Sequence, residues 1–223
     1  MAHEIEKKFL LDNDEWQALP VKERFYIAQG YIEGDDMDIS FTFNDRNEAV
    51  FSFSDIKNAG QPLTLTVTYN SQSGFAGFIA LSQIDRDTGR LSIRDGLVCR
   101  IRLRESLITG KKEAFLTIKA PTDNPAISDE YEESVKLEDA KTILDTFGVH
   151  VVEKKRHIVP QEAFFWEVDI FEKSLKGLKM AEIEVADKSE FALVKPLPGL
   201  GADVTADKRY SNRALGEFGI PKP

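Results

Sequence analysis

The chain has 223 residues, of which 42% are hydrophobic and 30% charged, and its formal net charge is −9 at pH 7. This composition suits a folded protein with its own core and excludes collagen-like, coiled-coil and wholly disordered chains. The acidic balance argues against a protein that coats nucleic acid, because such proteins displace counterions with a basic surface. We therefore expect no nucleic-acid partner, while a local basic pocket stays compatible with the charge.

Cysteine content and the first residues bear on the compartment. Cys99 is the only cysteine, which excludes an intramolecular disulfide and a cysteine-based zinc cluster. The opening MAHEIEKKFL carries glutamates and lysines where a signal peptide needs an apolar region, and no later apolar run is long enough to cross a membrane. We expect a cytoplasmic protein with no membrane association.

Short strands dominate the predicted secondary structure, because Val, Ile, Thr, Phe and Tyr alternate with polar residues between Gly, Asn and Asp turns. The clearest helix is expected over 138–147, where apolar residues recur with helical spacing before Gly148. Shorter helical segments are expected at 12–19, 188–195 and 211–218. The predicted strands are 3–11, 25–33, 38–44, 48–54, 62–70, 77–83, 90–95, 97–105, 113–120, 129–136, 151–159, 164–171 and 180–186.

Many antiparallel-looking strands with few helices favour a closed barrel over a doubly wound sheet. We predict a mainly β fold with a few helices, in which 1–223 form a single domain. Residues 34–96 differ from the rest, because polar turns there alternate with Phe-rich strands. This segment is predicted to be an insertion of one or two β-hairpins. It would pack on the barrel or on a second subunit, which makes a homodimer one expected state.

Ionisable residues share one face of the predicted strands, because residues two apart in a strand point the same way. One interpretation is an ordinary half-buried sheet with a solvated charged face. The other is that the charged face lines the lumen of a closed sheet, where buried charge requires a ligand. The shared-face set is Lys8, Arg100, Arg102, Arg104, Lys119, Lys154, Arg156, Glu4, Glu6, Glu130, Glu132, Glu167, Asp169, Glu182 and Glu184.

The two signs of charge in this set match two kinds of ligand. Arginine and lysine side chains match phosphate oxygens. Convergent carboxylates match a hard divalent ion such as Mg²⁺ or Mn²⁺. A chain of phosphates with a bound metal ion would satisfy both groups.

Ten short motifs follow one another along the chain. They are Glu4-Ile5-Glu6-Lys7-Lys8, Gln29-Gly30-Tyr31, Arg100-Ile101-Arg102, Leu116-Thr117-Ile118-Lys119, Glu130-Tyr131-Glu132, Lys154-Lys155-Arg156, Asp169, Ala181-Glu182-Ile183-Glu184, Val204-Thr205 and Arg209-Tyr210-Ser211-Asn212. In this order they resemble the motifs of the CYTH superfamily, the triphosphate tunnel metalloenzymes. That superfamily includes inorganic triphosphatases, thiamine triphosphatases and class IV adenylate cyclases. The resemblance covers 3–33 and 97–220 and fails over 34–96, and Ser128 and Asp203 depart from the usual motif residues.

The resemblance implies an eight-stranded antiparallel tunnel that binds a triphosphate-containing small molecule with Mg²⁺ or Mn²⁺. It also implies catalytic roles for Lys8, Glu6 and Glu182. Three alternate arginines leave open whether the phosphate-binding pair is Arg100/Arg102 or Arg102/Arg104, and the flanking residues favour the former. The implied phosphate-binding residues are Lys8, Arg100, Arg102, Lys119, Lys154 and Arg156, and the implied metal-side residues are Glu4, Glu6, Glu130, Glu132, Asp169, Glu182 and Glu184.

The function implied is metal-dependent hydrolysis of triphosphates, with inorganic triphosphate cleaved to diphosphate and phosphate as the first expected reaction. Three alternatives stay open. They are a thiamine or nucleoside triphosphatase, a class IV-type adenylate cyclase, and a non-catalytic polyphosphate-binding module.

Overall fold

The computed structural model describes residues 5–34, 37–46, 48–57, 60–67, 90–91, 98–121 and 128–222. Within them the fold is mainly antiparallel β, with two α-helices, as predicted. The strands are β1 (Ile5–Leu11), β2 (Glu23–Ile32), β3 (Met37–Phe43), β4 (Ala49–Asp55), β5 (Leu63–Val67), β6 (Arg90–Leu91), β7 (Val98–Ser106), β8 (Lys112–Pro121), β9 (Ser128–Val135), β10 (Val149–Gln161), β11 (Phe164–Phe171), β12 (Lys179–Val185) and β13 (Leu200–Asp203). The helices are α1 (Leu137–Phe147) and α2 (Asn212–Phe218).

Most predicted elements are confirmed, and three differ. Short 3₁₀ turns at Glu15–Ala18 and Lys188–Ala192 replace the helices predicted at 12–19 and 188–195. Strand β13 was not predicted, because Leu-Gly-Ala-Asp is short and has low β-propensity. The strand predicted at 77–83 lies outside the described residues.

The chain divides into two compact units. The first contains the described residues of 29–103 and 113–149, and the second those of 3–28, 104–112 and 150–223. The single-domain organisation of 1–223 stays a prediction.

The first unit contains the inserted segment and the strand that carries the arginine motif. The described residues of 34–96 form a four-stranded antiparallel sheet in the order β5-β4-β3-β6, which agrees with the predicted β-hairpins, while the status of this segment as an insertion stays a prediction. Strands β7, β8 and β9 lie next to one another, in that order, in a second sheet. Phe51 and Phe53 of the insertion share one hydrophobic cluster with Ile101 of β7, Leu116 of β8 and Ile143 of α1. The insertion is therefore part of the core of this unit.

The second unit contains antiparallel strands in the order β13-β1-β12-β11-β10. One hydrophobic cluster of this unit includes Trp16, Trp166 and Ile183. A second cluster includes Phe171 and Leu215, so that helix α2 packs on the strands. This order places the N-terminal motif strand β1 beside the Glu-x-Glu strand β12.

Neither sheet closes on itself within the residues that the structure describes. The predicted closed barrel is therefore not confirmed by the strand order. Among the described helices, none has both the length and the apolar character required to span a bilayer.

Candidate functional site

Charged side chains from four neighbouring strands of the second unit form one network, which we call the β10 cluster. The register places Lys8 of β1 opposite Glu182 of β12, and Arg156 of β10 opposite Asp169 of β11. The two middle strands thus carry carboxylates, and the flanking strands carry the cations, with Glu6 beside Lys8 on β1. Like charges that are grouped along one strand are neutralised by the next strand. The β10 cluster consists of Glu6, Lys8, Lys154, Arg156, Glu167, Asp169 and Glu182.

Asp169 lies at the centre of the β10 cluster and has no exposed surface (0%). Its Oδ2 atom is 2.5 Å from Nζ of Lys154 and 2.6 Å from Nη2 of Arg156, and its Oδ1 atom is 2.7 Å from Nε of Arg156. Burial alone would raise the pKa of Asp169, but Arg156 and Lys154 outweigh burial and lower that pKa to about 2. The carboxylate is therefore ionised and holds two cations in fixed positions.

Arg156 also reaches the carboxylates on either side of Asp169. Its Nη2 atom is 3.0 Å from Glu182, and its Nη1 atom donates to Glu167. Burial would raise the pKa of Glu182, but Arg156 and then Lys154 lower it despite the opposing charge of Asp169. One guanidinium thus links β10, β11 and β12.

Lys8 is fixed through both its side chain and its backbone. Its Nζ atom is 2.6 Å from Glu6 and 3.5 Å from Glu182. Burial would lower the pKa of Lys8, but Glu182 and Glu6 together raise it, so the ammonium is retained. The backbone N–H of Lys8 donates to Oγ1 of Thr205 at 3.0 Å, and the N–H of Val204 donates to the carbonyl of Lys8 at 2.8 Å. The Val-Thr motif therefore sets the position of the lysine.

Asn212 contacts the β10 cluster from helix α2, and the sequence did not predict it as a site residue. Its Oδ1 atom accepts a hydrogen bond from Nζ of Lys154 at 3.2 Å. Burial and then the charge of Arg156 lower the pKa of Lys154, while Asp169 and Glu182 oppose them. The signal available in the sequence was the position of Asn212 in the last of the ordered motifs.

The predicted metal-side residues are placed unevenly. Within the described residues, no group of three or more His, Cys, Asp or Glu side chains is arranged to hold a metal ion. Glu6 and Glu184 lie opposite each other on β1 and β12, beside Glu182. Carboxylate oxygens are the ligands that Mg²⁺ and Mn²⁺ prefer, so the chemistry of these donors fits such an ion. Glu4 lies outside the described residues, and so does the side chain of Glu130.

A smaller network, which we call the β7 cluster, lies in the first unit and consists of Arg100, Arg102, Thr117 and Glu132. Arg100 Nη2 is 3.0 Å from Oγ1 of Thr117 and 3.1 Å from Oε2 of Glu132. The Thr117 hydroxyl donates to the same Glu132 oxygen at 2.6 Å, and Arg102 Nη1 lies 3.8 Å from it. Glu132 of β9 therefore holds the Arg100/Arg102 pair of β7 across the intervening strand β8, which supplies Thr117.

The pKa of Glu132 follows from these contacts. Burial would raise it, but Arg102, the Thr117 hydroxyl and Arg100 together lower it. Lys119 lies two residues after Thr117 on β8, opposite Glu130 in the register. The predicted cations Arg100, Arg102 and Lys119 thus lie on the neighbouring strands β7 and β8.

Arg104 has different surroundings from the other two arginines of β7. It belongs to the second unit, where its guanidinium carbon lies 4.8 Å from the ring centroid of Phe25. A guanidinium over an aromatic face is stabilised by the charge distribution of the ring. Arg100 and Arg102 thus share Glu132, whereas the guanidinium of Arg104 lies over Phe25.

Comparison with known proteins gives two similar sequences, both inorganic triphosphatases. The protein from Acetivibrio thermocellus is 36% identical over 104 residues, which cover 46% of this chain and 65% of that protein. The protein from Nitrosomonas europaea is 26% identical over 149 residues, which cover 60% of this chain and 97% of that protein. The predicted resemblance to inorganic triphosphatases is confirmed.

The match thus spans slightly less than two thirds of the first relative and nearly all of the second. A solved structure of an inorganic triphosphatase aligns with 100% of this chain and 99% of its own chain, at 21% identity and a TM-score of 0.49. No protein-family model matches the chain.

Proposed function

We propose that this protein hydrolyses triphosphates and that inorganic triphosphate, cleaved to diphosphate and phosphate, is its substrate. The observation that carries the proposal is the similarity of this sequence to two inorganic triphosphatases. The two charge clusters support it, because motif residues far apart in the chain meet as cations held by carboxylates.

The proposed role of the cations is to bind phosphate oxygens and to neutralise the charge that moves during phosphoryl transfer. Phosphoryl transfer depends mainly on positioning and electrostatic stabilisation, and both are stronger when the charged groups are fixed beforehand. Arginine forks bind two oxygens at once, whereas lysine acts as a point charge. The residues with this role are Lys8, Arg100, Arg102, Lys119, Lys154 and Arg156.

The carboxylates have two proposed roles. Glu4, Glu6, Glu182 and Glu184 would hold Mg²⁺ or Mn²⁺, and Glu130 is a further candidate. A divalent ion bound there would polarise phosphate oxygens and lower the pKa of a coordinated water. Asp169 and Glu132 were also predicted as metal ligands. Both oxygens of Asp169 accept hydrogen bonds from Lys154 or Arg156, and Glu132 accepts from Arg100 and Thr117, and we propose that these two carboxylates position the cations.

Lys8 has a proposed catalytic role beside Glu6 and Glu182. Its ammonium lies between these carboxylates, and its backbone is held by Val204 and Thr205. A cation fixed in this way can neutralise charge on the transferred phosphoryl group without reorganisation. Three further parts of the proposal are supported by the sequence alone. They are the closed eight-stranded tunnel, the cytoplasmic location and the homodimer.

The decisive experiment measures phosphate release and identifies products from inorganic triphosphate, thiamine triphosphate and ATP, each with Mg²⁺, Mn²⁺ or a chelator. We expect metal-dependent release that is fastest on inorganic triphosphate. Cyclic AMP formed from ATP would indicate a cyclase instead. Binding without any product would indicate a non-catalytic polyphosphate-binding module.

Variants of the carboxylates test their roles in the same assay. Glu182→Gln and Glu6→Gln each remove one charge and keep the size of the side chain. Turnover at saturating metal should fall by at least about a hundredfold, the scale seen when a group acting on transition-state charge is lost. Glu23→Gln is the matched control, because Glu23 is exposed on β2. Wild-type turnover in either test variant would remove that residue from the mechanism.

A further inference from the structure

Helix α2 is capped at its start and packs against β10 through Leu215 and Gly216. Ser211 caps the helix, since its side chain accepts a hydrogen bond from the N–H of Ala214 at 3.2 Å. Leu215 is buried in the hydrophobic cluster that contains Val152 of β10. Gly216 lies so close to β10 that a Cβ atom there would be 2.2 Å from the carbonyl oxygen of His150. These contacts fix the first residue of the helix, Asn212.

Asn212 meets Lys154 where the lysine is almost completely buried. The Lys154 side chain is 2% exposed, and Asp169 and Asn212 are the hydrogen-bond partners of its Nζ atom among the described residues. An ammonium carries three hydrogens, so one is left for a further acceptor. Asp169 already neutralises charge at this point. The amide of Asn212 satisfies a buried donor and adds no second negative charge.

We propose that Asn212 is a positioning residue for triphosphate binding, which holds the Lys154 ammonium and leaves one of its hydrogens for a phosphate oxygen. This inference rests on the proposed function of the β10 cluster. A neutral acceptor suits the role, because a carboxylate at the same place would repel the phosphates. The residue acts through Lys154 and does not itself contact the substrate.

Calorimetric titration of the full chain with inorganic triphosphate, in the presence of a chelator, tests the role of Asn212. Asn212→Leu removes the acceptor at similar size, and we expect binding to weaken about tenfold, as for loss of a hydrogen bond to a charged group. Asn212→Asp keeps an acceptor of the same shape but adds charge, and it should also weaken binding. Arg213→Ala is the control, because Arg213 forms a salt bridge with Glu217 on the same helix.

A double-mutant cycle separates positioning from a purely structural effect of the helix. In a Lys154→Met background, Asn212→Leu should weaken binding no further, because its partner is already absent. Losses that multiply would overturn the inference, and so would an Asn212→Leu variant that binds as tightly as the wild type. The same cycle is measured by urea unfolding, where coupling between the two positions should appear without any ligand.

The two readouts distinguish failure of the inference from failure of the proposed function. If the wild type binds triphosphate and Asn212→Leu binds equally well, the inference alone is wrong. If the wild type binds no triphosphate, the proposed function is wrong and the binding role of Asn212 is wrong with it. Coupling in urea would then identify the contact as one that stabilises the fold.

Discussion

The β10 and β7 clusters use one arrangement at two depths. In each, a carboxylate on one strand holds two cations that alternate along another strand, which is the adjacent strand for Asp169 and the next but one for Glu132. Asp169 is 0% exposed and makes three contacts of 2.5–2.7 Å, whereas the side chain of Glu132 is 34% exposed and lies 3.1 and 3.8 Å from its arginines. Burial sets how strongly the stability of each cluster depends on its ion pairs. A buried charge is stabilised by its partner alone, whereas an exposed charge is also stabilised by water.

The charge balance of the two clusters also differs. The β10 cluster has more carboxylates than cations, and Glu184 lies beside it on β12. In the first unit, three predicted cations lie on the neighbouring strands β7 and β8, and one carboxylate holds the arginines. The cations are Arg100, Arg102 and Lys119, and the carboxylate is Glu132. On the roles proposed above, the β10 region would take both a divalent cation and phosphate oxygens, whereas the β7 cluster would take phosphate.

The largest expected effect is on stability and follows Asp169→Asn. The change leaves Lys154 and Arg156 buried with too little counter-charge, which should lower the free energy of unfolding by about 3–5 kcal/mol. Glu132→Gln should lower it by about 1 kcal/mol or less, because that pair is partly solvated. Urea denaturation of both variants measures the difference. Equal losses of unfolding free energy in the two variants would contradict the expected effect of burial.

The next effect concerns substrate binding by the β7 cluster. Arg100→Gln should raise KM for inorganic triphosphate by about tenfold to a hundredfold, the loss expected for charge-assisted hydrogen bonds. Arg104→Gln, on the same face of the same strand, should change KM by less than about twofold, because Arg104 lies over Phe25. The reverse result would identify Arg102/Arg104 as the binding pair.

The pH dependence of stability should reflect the depressed pKa of Asp169. A carboxyl group whose pKa is lower in the folded state stabilises the protein at pH values above its unfolded pKa of about 4. This contribution is lost as the pH falls from there toward the folded pKa of about 2. The contribution of Asp169 is about 2 kcal/mol on this basis. Urea unfolding at a series of pH values should show a steeper acid decline for the wild type than for Asp169→Asn. Parallel curves would contradict the assignment.

The smallest effects concern two threonines that support the clusters. Thr117 is fully buried and bonds to both Arg100 and Glu132, so Thr117→Val should cost about 1 kcal/mol of unfolding free energy. Thr205 is exposed, and water can replace its hydroxyl at the N–H of Lys8. Thr205→Val should therefore cost less than Thr117→Val in the same urea experiment. A larger cost for Thr205 would show that the Lys8 backbone depends on it.

The sequence predicted the strands and the shared charged face because both follow from period-two alternation. It could not predict which charges would meet, since that depends on register between distant strands. The pairing of Arg156 with Asp169 is an example, because the two residues are linked by the β10–β11 register. Grouped carboxylates match a divalent ion, and the register adds what the sequence cannot show, which is that Asp169 also meets Arg156 on the next strand.

Neutral residues of the site were the hardest to predict. Thr117 and Asn212 carry no charge, and their contribution depends on which side chain they reach. Asn212 reaches Lys154 only because α2 packs on β10 through a glycine. The separation of two residues along the sequence does not show whether their elements pack in this way.

The shared core of the first unit has a consequence for treating 34–96 as a removable module. Phe51 and Phe53 belong to the hydrophobic cluster that includes Ile101, the residue between Arg100 and Arg102. Excising the insertion would expose one side of this cluster to water and would loosen the strand that presents the arginines. We therefore expect a chain that joins residue 33 directly to residue 97 to be destabilised unless the apolar surface beneath β7 is redesigned.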